Sequence, residues 1–144
     1  MALPQENNGK PGKMARIPPL LLWPLAYGVG AFAIGFLLGA LRELVLIPAF
    51  GAAAGHLIEF PVVTGLIALG GFWAGRRAPP PALLTGFGGV AVLVCLESTL
   101  AIWIMGQTPA EYLAHYDISK GALFPFGLAV MALAPWAGKR LNQG

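Results

Sequence analysis

Residues 20–41, LLLWPLAYGVGAFAIGFLLGAL, run for 22 positions without a charged side chain. At about 1.5 Å per residue, a helix of that length crosses a hydrocarbon core of about 30 Å. The rest of the chain repeats the theme. With 57% hydrophobic and 10% charged residues, and a mean hydropathy of +0.72, 144 residues carry too little polar surface to coat a soluble globule. The sequence therefore predicts an all-α integral membrane protein.

Residues 1–19 are polar and rich in Pro, Gly and Asn, and bury too little apolar surface to fold alone; they read as a disordered cytoplasmic tail. The apolar run from Leu20 also admits a competing reading as a signal peptide, since Ala31-Phe32-Ala33 has the A-x-A form of a cleavage site. Signal cores span about 7–15 residues, however, and apolar character here continues well past Ala33. Two parsings compete for the segment after Leu41. Helix 1 either ends near Leu41, leaving 60–75 as a second helix that barely spans, or continues to about Ile47, turns at Pro48 and Gly51, and gives a second helix over 51–75. The second parsing is preferred because 25 residues span with tilt.

Arg76-Arg77 and the stiff APPPA connector close helix 2. Helix 3 is expected over 82–105 and helix 4 over 121–138, giving one four-helix transmembrane domain over 20–140. Between helices 3 and 4, Thr108-Pro109-Ala110-Glu111 has the form of a capping box and predicts a short amphipathic surface helix through about His115. Lys10, Lys13, Arg16, Arg76, Arg77, Lys139 and Arg140 fall on one side of this layout, leaving Arg42 and Lys120 elsewhere, so both termini are expected in the cytoplasm. The net charge of +3 arises from these clusters, and nucleic acid is not an expected partner. Trp23, Trp73, Trp103 and Trp136 sit near span ends, as an interfacial belt requires.

Arg42, Glu43, His56 and Glu59 stand in an otherwise apolar stretch, and helix 3 adds Glu97. Counting from the span ends places Arg42 roughly 8 Å deep, and Glu59 and Glu97 on the order of 12 Å deep, all in the outer third. Ala31, Gly35, Gly39 and Arg42 share one face of helix 1, and Gly51, Gly55 and Glu59 share one face of helix 2. Small residues at that spacing let transmembrane backbones approach closely, so Arg42 and Glu59 are expected to meet across a tight contact. The arrangement reads as a structural tie. Three acids against one base also leave a surplus carboxylate that needs a proton, a cation or a partner's basic group. His56 and Glu59 at i and i+3 fall short of a metal-ligand set, and no metal or cofactor is expected. Cys95, in an apolar run, is read as a small buried side chain. The hydrolase, zincin and P-loop motifs are absent.

The pattern GFLLGALRELVLIPAFG-(x)4-HLIEFP, with a later apolar helix carrying one Glu and a final LFPFGLAVMALAPW, resembles a family of small bacterial inner-membrane proteins with four spans. The resemblance implies a bacterial inner-membrane location and carries no activity. The function expected from the residues is a non-catalytic accessory or assembly subunit that associates with other membrane proteins or with itself. A small oligomeric transporter or ion or proton pathway using Glu59 and Glu97 is the alternative, and an intramembrane enzyme the third reading.

Overall fold

The computed structural model describes Ala2, Leu3 and residues 16–144; most of the tail expected over 1–19 lies outside the described residues. The described chain is helical, with no strand among the described residues. Its helices are α1 (Pro19–Phe50), α2 (Ala52–Arg77), α3 (Ala82–Ile104), the short α4 (Pro109–Leu113) and α5 (Phe124–Gln143). α1, α2 and α3 are each long and apolar enough to cross a membrane. α5 is apolar only from Phe124 to Gly138, where Lys139 and Arg140 intervene.

α5 covers Phe124–Gln143 in place of the expected 121–138, and two further boundaries differ for a local reason. α1 does not stop at Pro48. It widens into a π turn over Arg42–Leu46, in which the Ile47 N–H donates to the Arg42 carbonyl, and then continues to Phe50. Pro48 lacks an N–H and its ring crowds the carbonyl four residues earlier, so a wider turn just ahead of it relieves the clash. The reversal falls on Gly51 alone, at φ 85° and ψ 164°, a region open in practice only to glycine. The surface helix after α3 is likewise shorter than expected. Its capping box forms, with Thr108 Oγ1 accepting from the Glu111 N–H and Glu111 Oε2 accepting from the Thr108 N–H at 2.7 Å, but the α-helix ends at Leu113 and gives way to 3₁₀ turns.

α2 lies along α5, α5 along α3, and α3 along α1, while α1 meets α2 along its length and again through its last turns beside the Gly51 reversal. Charge is segregated along this arrangement. Arg16, Arg76, Arg77, Lys139 and Arg140 gather at one end, here the basic end, and every described acid, Glu43, Glu59, Glu97, Glu111 and Asp117, lies in the other half.

The tightest packing is in the basic half. A Cβ on Gly75 would collide with the Pro135 carbonyl oxygen, one on Gly86 with that of Ala132, and one on Gly138 with that of Phe72. At the centre, Tyr27, Ala31, Leu93 and Met131 form a buried layer flanked by Phe32, Ile67, Val90 and Leu128. The Tyr27 hydroxyl shares its hydrogen between the carbonyls of Ile67 (3.2 Å) and Met131 (3.1 Å), so one side chain of α1 ties α2 to α5. Those carbonyls already serve their helices, so Tyr27→Phe is expected to cost about 1 kcal/mol rather than strand a buried group. Thermal unfolding of the detergent-purified protein measures this, and an unchanged midpoint would show that the hydroxyl ties nothing.

Candidate functional site

Above the Tyr27 layer the inward face of α1 turns polar. Ala31 is buried in that layer; one turn on is Gly35, then Gly39, then Arg42. Each glycine opens space that a carboxylate occupies. Glu97 Oε1, from α3, lies 4.0 Å from where a Gly35 Cβ would stand, and Glu59 Oε1, from α2, lies 3.9 Å from that of Gly39. The small residues expected to serve close backbone contact thus make room for side chains at Gly35 and Gly39. Gly55 does sit in a tight contact, with Ile47 Cγ1 3.0 Å from its would-be Cβ, beside the Gly51 turn.

Arg42 caps the stripe. Its Nη1 donates to Glu59 Oε2 at 2.7 Å, and its Nε and Nη2 donate to Glu43 Oε1 at 3.3 and 3.0 Å. The two carboxylates differ sharply in setting, because the Glu59 side chain is 11% exposed and that of Glu43 60%. An exposed ion pair contributes little, whereas a carboxylate withdrawn from water depends on its partner, so Glu59 is the partner that matters. The planar guanidinium fork serves both at once.

Glu97 has no hydrogen bond or ion pair among the described residues. It is half-buried, one turn beyond the buried Leu93, and the helix around it is perturbed. Ser98 and Thr99 hydroxyls both donate to the Cys95 carbonyl, at 3.1 and 2.7 Å, and a π turn over Leu100–Ile104 begins at the next residue. Such side-chain bonds compete with the helical ladder. Both π turns therefore fall in the acidic half, one containing Arg42 and Glu43 and the other beginning three residues after Glu97.

A tyrosine pair stands at the same end. The hydroxyls of Tyr112, buried, and Tyr116 are 2.9 Å apart, and Tyr116 packs edge-on against Phe124. Burial, the bond to Tyr112 and the nearby charge of Glu97 push the Tyr116 hydroxyl above its ordinary range. Beside it Asp117 is held below the usual carboxylate range, first by the Ser119 side chain and also by Lys120.

The remaining residues singled out by sequence lie apart. His56 is exposed and makes no hydrogen bond to Glu59 among the described residues, because α2 turns it outward near the Gly51 reversal. Among the described residues no three His, Cys, Asp or Glu side chains gather as a metal site would require. Cys95 is exposed on the apolar surface rather than buried. Tyr27, the one phenol within the first apolar run, and Tyr116 were not among the expected site residues.

Fold and site together define an α-helical membrane protein with a carboxylate-rich stripe in the half opposite its basic end. Comparison with known family models, curated proteins and solved structures finds no match to this chain.

Proposed function

We propose that this chain is a four-span protein of the bacterial inner membrane, with its basic end cytoplasmic, acting as a non-catalytic accessory or assembly subunit whose acidic half receives a basic group from a membrane partner. α5 is the fourth span. Although its apolar stretch is short, it packs along α2 and α3, and its Lys139 and Arg140 reach the same level as Arg76 and Arg77. The positive-inside rule puts that end in the cytoplasm.

The observation that carries the functional reading is Glu97, a half-buried carboxylate without a partner among the described residues, directly above a close-packed layer. Arg42 is already occupied by Glu59 and Glu43. Beneath Glu97 lies the close-packed Tyr27–Met131 layer, which favours a one-sided receptor over a path toward the basic end. An acidic side chain in that setting is stabilised by an incoming cation, and a Lys or Arg from a neighbouring membrane segment supplies one.

Glu97→Gln tests this, since it keeps the shape and removes the charge. Purified in mild detergent from its native host, the wild-type chain is expected to carry a stoichiometric membrane partner and the variant to lose most of it while unfolding at the same temperature. Reconstituted alone, the wild type is expected to give no proton or cation flux into vesicles. Flux that Glu97→Gln abolishes would replace this reading with the transporter.

A further inference from the structure

At the basic end a cleft of about 330 Å³ opens between the last turns of α2 and α5, lined by Phe72, Trp73, Arg76, Arg77 and Asn142. Its polar rim consists of donors. Arg76 and Arg77 have no ion-pair partner among the described residues, and every described acidic side chain lies in the other half of the molecule. Asn142 joins them for a stereochemical reason. Arg76 Nη2 donates to Asn142 Oδ1 at 3.4 Å, and since a guanidinium can only donate, the amide oxygen must face Arg76, which turns the Asn142 NH₂ outward as a further free donor.

Both arginines are also held in place. The Arg76 guanidinium lies 5.7 Å from the centroid of Phe72 and that of Arg77 5.1 Å from that of Trp73, each ring one turn earlier on α2. Stacking over a ring fixes the guanidinium plane while leaving its N–H edge free. Below the rim the walls are aromatic and continue into the apolar surface of the helices. An oriented set of donors above an apolar wall matches an amphiphile with an anionic, oxygen-rich head.

We propose that this cleft is a binding site for an anionic phospholipid, whose phosphate oxygens accept from Arg76, Arg77 and the Asn142 amide while an acyl chain descends past Trp73. A two-oxygen phosphodiester suits paired guanidinium edges, which bind phosphate bidentately. Basic clefts between transmembrane helices at the cytoplasmic face are placed to take such headgroups. The proposal goes beyond the partner reading of the acidic half and rests only on the placement of the basic end at a membrane surface.

Native mass spectrometry of the full chain in mild detergent, titrated with phosphatidylglycerol or with phosphatidylcholine of the same acyl chains, tests it. Phosphatidylglycerol is expected to be retained as a saturable adduct and phosphatidylcholine to be held much more weakly. The double variant Arg76→Gln/Arg77→Gln is expected to lose phosphatidylglycerol affinity on the order of 30-fold, as befits two basic groups at a lipid surface. Arg16→Gln/Lys120→Gln removes the same net charge outside the cleft and should leave affinity within about twofold. Asn142→Ala, at an exposed helix end where folding is not at stake, should cost about fivefold through one lost donor.

Equal retention of the two lipids, an equal loss in the two charge variants, or no effect of Asn142→Ala would overturn the site. Displacement of the lipid by millimolar inorganic phosphate would assign the cleft to free phosphate instead. Failure of the membrane placement reads differently, since the chain would then not fractionate with membranes at all.

Discussion

Arg42→Ala is expected to lower the stability of the folded protein by about 2–4 kcal/mol, the largest effect of any single charge removal in this chain. The cost arises at Glu59, not at Arg42. Once the guanidinium is gone, a carboxylate with an 11% exposed side chain remains among apolar neighbours with no cation to meet it. Glu43, 60% exposed, loses its partner at little cost, so Glu43→Gln should change stability by at most about 0.5 kcal/mol. Adding Glu59→Gln to Arg42→Ala should recover most of the loss. Unfolding of the purified protein in mixed micelles, run as a double-mutant cycle, measures the coupling, and simple additivity would dismiss the pair as a structural element.

The second large effect concerns where the helices touch. Gly75→Ala and Gly86→Ala each place a methyl group against a backbone carbonyl of α5, which cannot swing aside as a side chain can. Each is expected to cost roughly 3 kcal/mol, at the upper end of overpacking, or to prevent α5 from docking. Gly35→Ala and Gly39→Ala are the contrast. Their nearest atoms are carboxylate oxygens at 4.0 and 3.9 Å, and alanine favours helix by about 1 kcal/mol over glycine, so both should be neutral to stabilising. The same unfolding assay ranks the four. A reversed ranking would move the close contact to the acidic half.

That contrast marks the limit of what residue spacing reveals. The face Ala31-Gly35-Gly39-Arg42 is legible in the sequence, because helical periodicity alone defines it. What faces it is not. Small residues at four-residue intervals admit either a backbone or a side chain, and the choice depends on where α3 and α2 lie, which spacing does not encode. The long apolar helices and the reversal at Gly51 arise from local chemistry, and so does the Thr108 capping box. The π turns do not, because their causes are distributed. A proline six residues after Arg42 shapes one, and two hydroxyls competing for the Cys95 carbonyl precede the other. The position of Glu97 beside Gly35 is likewise a property of the assembled helices, since the two residues are 62 positions apart.

The single-residue reversal at Gly51 bears on biogenesis. With one residue between them, α1 and α2 leave no loop that could wait on either side of a bilayer, so the two helices must enter it together as a hairpin. Under the proposed topology the leading tip of that hairpin is the part that traverses the hydrocarbon, and Arg42 and Glu59 travel close behind it. Their ion pair lies within the hairpin itself, so the charges can neutralise each other before α3 and α5 exist to shelter them. On that route the pair proposed to steady the finished protein also lowers the barrier to its insertion.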